Sequence, residues 1–128
     1  MHNSSKKAWE PGTQVKMMYK TGLYAGELVE INGPRAVVKV LAVLKHPEQG
    51  DLHHPYEPDV PFFHERRALS YTEKALAPLG DVELYEADIP DYRESLERSL
   101  HGEINRIDKL KRWSERALEQ LHRLQTEY

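Results

Sequence analysis

The 128-residue sequence contains no cysteine. A disulfide framework, a thiolate nucleophile and a cysteine-ligated zinc site are therefore excluded. A lipid anchor on an N-terminal cysteine needs the same residue, so the sequence predicts a protein that is not lipidated.

Long apolar runs and an excess of positive charge are also lacking. No window approaches the roughly 18 to 20 apolar residues of a membrane-spanning helix, and the start of the chain lacks the apolar stretch of a signal peptide. We therefore expect a cytoplasmic protein. The net charge of −3 argues against nucleic-acid binding, which needs clustered lysine and arginine.

The first half of the chain alternates like β structure. We interpret residues 1–12 as a disordered arm and residues 13–88 as one domain. Alternating runs over residues 13–31 and 36–44 predict three antiparallel strands, separated by turn signals at Thr21-Gly22 and Asn32-Gly33-Pro34. Residues 68–76 and 82–85 are candidates for two more strands. The pattern predicts a mainly β fold, a small SH3-like antiparallel barrel, with a long loop over residues 45–66.

From Asp91 the period changes to that of an amphipathic helix. Asp91 and Glu94 fit the start of a helix, and apolar residues then recur mainly at steps of three and four. Gly102 interrupts the pattern, so residues 89–128 predict either one kinked helix or two helices after the barrel. The eight acids and eight bases of residues 91–128 leave the net charge on the first 90 residues.

The long loop is rich in histidine, with carboxylates nearby: His46, His53, His54 and His64. The residue types would suit zinc, but the spacing matches no helical pair of ligands. We therefore favour a proline-stiffened loop in which Phe62 and Phe63 plug the barrel and anchor the return to the sheet. We assign no metal site, no cofactor and no catalytic residue. A metal-dependent enzyme using these histidines remains a third alternative.

Two sets of apolar side chains are candidates for partner binding. On the barrel, aromatic residues can grip a peptide or a methylated side chain, as Tudor-type modules do. On the helix, an apolar stripe longer than the barrel is wide should overhang, and an overhang needs a partner helix or a second copy. The candidate contacts are Tyr19, Tyr24, Phe62, Phe63, Leu110, Leu118 and Leu121.

Four runs of residues, taken in order, resemble one known family. They are Y-K-T-G-x-Y-x-G-E at 19–27, V-L-K-H-P at 43–47, V-P-F-F-H-E-R at 60–66 and I-P-D-Y-x-E-S-L at 89–96. Together they resemble kinase-associated protein B of spore-forming Bacillus-type bacteria. No single run is chemically diagnostic, but their combination spans most of the chain.

The resemblance implies an SH3-like barrel with C-terminal helices and a role in starting sporulation. Members are associated with a membrane sensor histidine kinase that feeds the phosphorelay, and are thought to promote its activity or expression. The family has been described as lipoproteins, from which this cysteine-free chain departs. Any association with the membrane is then expected to be indirect, through the kinase.

Taken with this resemblance, the sequence predicts a non-enzymatic interaction protein that promotes the activity or expression of a sensor histidine kinase. A homodimer through the C-terminal helix is part of this interpretation. The main alternative is a Tudor-like module that binds a peptide or nucleic acid and acts on gene expression.

Overall fold

A computed structural model describes Lys6 and residues 9–128. These described residues form five strands and one α-helix. The strands are β1 (Gln14–Tyr19), β2 (Gly22–Asn32), β3 (Arg35–Lys45), β4 (Lys74–Pro78) and β5 (Val82–Leu84). A 3-10 turn, Leu79–Asp81, separates β4 from β5, and the chain ends with helix α1, Tyr92–Glu127.

The strands form one antiparallel sheet in the order β4-β3-β2-β1-β5. The sheet curls until β1 contacts β4. Within the described residues, however, no hydrogen-bonded ladder joins β4 to β5, so the sheet is barrel-like but open. The predicted mainly β fold with a C-terminal helix is confirmed.

The core fills the inside of this curl. Strand β3 shows the period of two expected for a sheet with one buried face: Ala36, Val38 and Val40 are fully buried, and the residues between them are half-buried. Val15, Met17, Tyr24, Leu28 and Val82 complete the centre. Near the end of β3, Ala42 and Val43 are both buried, but only Val43 belongs to the core cluster. The pairing register with β2 shifts on either side of these two residues, so the alternation of β3 changes phase there.

The N-terminal segment predicted to be disordered lies largely outside the described residues. In its described part, Trp9 packs against the core, and the Gly12 amide donates to the Leu28 carbonyl at 2.7 Å.

The helix is one continuous element of 36 residues, so the two-helix alternative is wrong. It begins where the sequence predicted, since the Asp91 carboxylate accepts a hydrogen bond from the Glu94 amide at 3.1 Å. Gly102 lies inside the helix, and a Cβ built there meets nothing within 4 Å. At 1.5 Å per residue the helix is about 54 Å long, and only its first turns pack on β3.

A buried serine joins the helix to the sheet. Ser95 is 2% exposed, and its hydroxyl accepts a hydrogen bond from the Val43 amide at 2.9 Å. The same hydroxyl donates to the Tyr92 carbonyl at 2.8 Å. Ser95 therefore satisfies a buried amide of β3 at the register irregularity, where the ladder cannot.

Replacing this serine tests how the helix is held. We expect Ser95→Ala to lower the free energy of unfolding by about 1–3 kcal/mol, because the Val43 amide is left buried without an acceptor. Ser99→Ala is the matched control: its hydroxyl bonds only the Leu96 carbonyl of its own helix, at 3.1 Å. Urea unfolding of both variants measures the loss of unfolding free energy in each. Equal losses for the two would contradict a specific role for Ser95.

Candidate functional site

The long connection between β3 and β4 runs from residue 46 to residue 73 and forms no helix or strand. It is nevertheless held by its own hydrogen bonds. The Arg66 guanidinium donates to the carbonyls of Glu48 and Gly50, at 2.7 and 3.1 Å. The Gln49 side chain accepts from the Arg66 amide at 2.7 Å and donates to the Arg66 carbonyl at 2.9 Å. Arg66 and Gln49 therefore clamp the outgoing arm of the loop to its returning arm.

Three further hydrogen bonds fix the loop to the sheet and to the helix. The Glu48 amide donates to the Thr21 hydroxyl at 2.8 Å. Thr21 has a φ of +70°, which is rare for a β-branched residue. Glycine or asparagine is the usual residue in this backbone conformation, so the sequence alone does not predict this contact. On the returning arm, Leu69 donates its amide to the Tyr24 hydroxyl and accepts the Tyr92 hydroxyl, at 3.2 and 2.5 Å.

Phe62 and Phe63 do not plug the barrel, so that prediction is wrong. Their side chains are 72% and 62% exposed on the returning arm. Phe62 stacks on the His64 ring, with centroids 6.2 Å apart. Phe63 lies across Gly50, where a Cβ would come within 3.0 Å of the ring and φ is +95°. The return to the sheet is anchored instead by Arg66.

The loop and the helix enclose an open groove of about 940 Å³. We call it the loop–helix groove. One wall consists of loop residues that include Leu52, Pro55, Tyr56, Pro58 and Phe63. The other wall consists of Leu100, Ile104, Ile107, Leu110 and neighbouring polar residues of α1. Both walls are largely apolar.

Charged side chains line the base of this groove. Arg106 forms a bidentate pair with Glu103, with both N–O distances 2.9 Å. This pair lowers the pKa of the Glu103 carboxyl, chiefly through the hydrogen bonds from Arg106, and raises that of the guanidinium. Both groups are thus held in their charged forms.

The histidines of the loop do not come together as a set of metal ligands in the structure. Asp51 accepts from the His53 amide and lies 3.0 Å from His54 Nδ1, and the hydrogen bond to His54 lowers the pKa of Asp51. Across Lys6 and residues 9–128, no three histidine, aspartate or glutamate side chains converge on one point. In these residues, the alternative of a metal-dependent enzyme therefore lacks an assembled set of metal ligands.

The candidate contact residues fall into three environments. Tyr24 is 1% exposed in the core, so it cannot reach a partner, and the prediction that it is a partner contact was wrong. Tyr19 is half-buried at the end of β1, with the Lys20 ammonium 5.5 Å from its ring centroid. Leu110, Leu118 and Leu121 are 46%, 51% and 60% exposed along the helix.

Sequence reasoning missed part of the surface. Trp113, 67% exposed on the helix, lies outside the stripe that the apolar spacing predicted. Ile104 and Ile107 follow the predicted apolar spacing but are not among the candidate contacts, although both line the groove. The clamp by Gln49 and Arg66 carried no sequence signal, since it joins side chains to backbone groups across the loop.

Three comparisons with known proteins agree with this architecture. The kinase-associated protein B family matches residues 19–128. The chain is 45% identical over 123 residues to "Kinase-associated lipoprotein B" of Bacillus subtilis (strain 168), covering 94% of both chains. It is also similar to a crystal structure of kinase-associated protein B from Bacillus cereus, with a TM-score of 0.67, 42% identity and 80% coverage of each chain.

The name of the Bacillus subtilis relative corrects one prediction. That protein is called a lipoprotein, which contradicts the expectation of a cytoplasmic, non-lipidated protein. The expectation relied on the missing cysteine and on the lack of long apolar runs, and we withdraw it. In the described part of the chain, no helix has both the length and the apolar character needed to cross a membrane.

The match covers the strands from the end of β1, the clamped loop and the whole of α1, and the relatives are similar over most of their length. The chain belongs to the kinase-associated protein B family.

Proposed function

We propose that this protein is a non-enzymatic accessory of a sensor histidine kinase, and that it promotes that kinase's activity in the phosphorelay that starts sporulation. Membership of a family named for its association with a kinase supports the choice of partner. The observation that carries the proposal is the pair Phe62 and Phe63, two large apolar side chains that are mostly exposed on a clamped loop.

Exposed aromatic side chains on a fixed backbone suit protein recognition. Aromatic residues dominate the binding energy of interfaces because they bury a large area at little cost in conformational entropy. The clamp by Arg66 and Gln49 lowers that cost further, since the backbone around Phe62 and Phe63 is held before any partner arrives. We call this surface the loop tip, residues 60–64.

An activator must also distinguish two states of its target. By thermodynamic linkage, it raises the active population only as far as it binds the active state more tightly than the inactive one. A rigid loop tip serves this purpose better than a mobile one, because it fits one arrangement of the kinase and cannot remodel itself around the other.

The test uses the purified full-length chain and the sensor kinase that co-purifies with it from sporulating cells. We expect the wild-type protein to bind this kinase and to increase its autophosphorylation. The double variant Phe62→Ser/Phe63→Ser should weaken binding at least about tenfold, as loss of a central aromatic anchor does. Met18→Ser, at a 43% exposed side chain on β1, is the matched control and should bind normally.

Two results would count against the proposal. Failure of the wild-type chain to recover any kinase would remove the direct partner and leave the gene-expression alternative in its place. Normal kinase binding by Phe62→Ser/Phe63→Ser would show that the loop tip is not the binding surface.

A further inference from the structure

Helix α1 leaves one long apolar face uncovered. Beyond the turns that pack on β3, this face first forms the helix wall of the loop–helix groove and then continues along the free end of the helix, residues 112–127. Apolar side chains remain 40–60% exposed along both parts, namely Leu100, Ile104, Ile107, Leu110, Leu118 and Leu121. Steps of mainly three and four residues place them on one side of the helix.

The two parts of this face have complementary shapes. The first part is concave, because the loop wall rises beside it to form the groove. The second part is convex, because it is a bare helix without a neighbouring element. A bare amphipathic helix laid into an apolar groove is a common recognition mode, and this chain carries both the groove and the helix.

We propose that the occupant of the groove is the free end of α1 from a second copy of this chain. The two copies would pair with their helices antiparallel, related by a two-fold axis near Leu110 and Lys111. Each groove then receives the other copy's free end. Such a contact is isologous and closed, so it produces a dimer and no larger assembly.

The residue order along the helix fits this register. Antiparallel pairing centred on Leu110 and Lys111 brings Leu100 opposite Leu121 of the second copy. The same register sets Ile104 opposite Ala117 and Ile107 opposite Ser114. Bulky side chains thus meet small ones in two of the three pairs, which permits the close interaxial approach of packed helices, about 8–10 Å.

The charges along one edge of the face are compatible with self-pairing. Asp108, Lys111, Arg112 and Glu115 follow one another there, two acids and two bases. Arg112 already pairs with Asp108 at 2.9 Å within one chain. Two copies meeting along this edge therefore bring no net charge together.

The size of the contact also suits a stable dimer. Residues 100–121 of each helix are paired over about 33 Å, and the loop wall adds Leu52, Pro55, Tyr56 and Pro58 to each side. This approaches the roughly 20 to 30 residues per partner of a specific interface. Of the loop tip, Phe63 belongs to the loop wall, whereas Phe62 does not line the groove and stays free. The dimer does not depend on the proposed binding of a kinase.

Light scattering during size-exclusion chromatography of the full chain gives the first test. The monomer mass is 14.9 kDa, and we expect twice this value. Leu121→Asp on the free end and Ile104→Asp in the groove should each weaken dimerisation at least tenfold. Gln120→Asp makes the same charge change on the opposite face of the helix and should leave the dimer intact. A wild-type monomer at about 100 μM, or an unaffected dimer in both variants, would overturn the proposal.

Crosslinking tests the direction of the pairing and does not require a disruptive variant. Because the chain has no cysteine, single cysteines can be placed without removing others. A mixture of Leu100→Cys and Leu121→Cys chains should oxidise mainly to the mixed disulfide dimer. Rapid self-crosslinking of Leu121→Cys alone would indicate parallel helices, and absence of any crosslink would indicate no contact. Either result rejects the antiparallel dimer.

Discussion

Gly26→Ala is expected to lower the free energy of unfolding by about 3–5 kcal/mol, or to prevent folding altogether. Gly26 lies in β2 where that strand bends over β3 and the register shifts between Ala25 and Gly26. A Cβ at this position would lie 2.0 Å from the Lys39 carbonyl oxygen. The obstacle is backbone, so no change of rotamer can relieve it, and two buried strands would have to separate.

Gly102→Ala provides the matched control with the opposite sign. At Gly102, inside α1, a Cβ meets nothing within 4 Å, and alanine is favoured over glycine in a helix by about 1 kcal/mol. Urea unfolding of both variants, followed by circular dichroism, separates the two effects. A Gly26→Ala protein within about 1 kcal/mol of wild type would show that β2 and β3 do not approach so closely.

Tyr24→Ala is expected to have an effect of similar size. The Tyr24 ring is 1% exposed at the centre of the core, and truncating a buried aromatic ring to alanine costs about 3–5 kcal/mol. Tyr24→Phe keeps the ring and removes only the acceptor for the Leu69 amide, so it should cost about 1 kcal/mol. Similar losses for the two variants would mean that the hydroxyl, and not the ring, makes the main contribution.

Wild type and Tyr24→Phe should also differ in stability at alkaline pH. Burial raises the pKa of the Tyr24 phenol above its ordinary value of about 10. The fold therefore favours the neutral phenol, and this stabilisation is complete below about pH 10 and is lost as the pH rises through the raised pKa. Burial raises the pKa of Tyr92 in the same direction. We expect wild type to lose more stability than Tyr24→Phe between pH 8 and about pH 11.

Much of the fold could be predicted because its signals are local. The alternation in β3, the breakers at Asn32-Gly33-Pro34 and the cap at Asp91 are patterns over a few residues, and each marks an element within a residue or two. The fourth strand was placed too early, at 68–76 instead of Lys74–Pro78. Leu69, near the start of the predicted strand, instead uses its amide and carbonyl to bond Tyr24 and Tyr92.

The candidate site was harder to predict because its contacts are distant in sequence. Phe62 and Phe63 suggested a buried plug by their composition, yet the clamp between Gln49 and Arg66 leaves both exposed. Tyr24 and Phe62 are both aromatic, and the sequence offers no rule that buries one and exposes the other. The exposed helix face was anticipated, because the predicted helix was longer than the domain it could pack on.

The clamped loop also has a consequence for how proteins of this architecture can diverge. The side chains of Gln49 and Arg66 hold the two arms of the loop by hydrogen bonds to backbone amides and carbonyls. A change of side chain elsewhere in the loop leaves these backbone groups in place. Selection can therefore exchange the side chains of the loop tip while the clamp and the sheet stay unchanged. A descendant could acquire a new partner by a few substitutions at residues 60–64, without first having to evolve a new way of holding the loop.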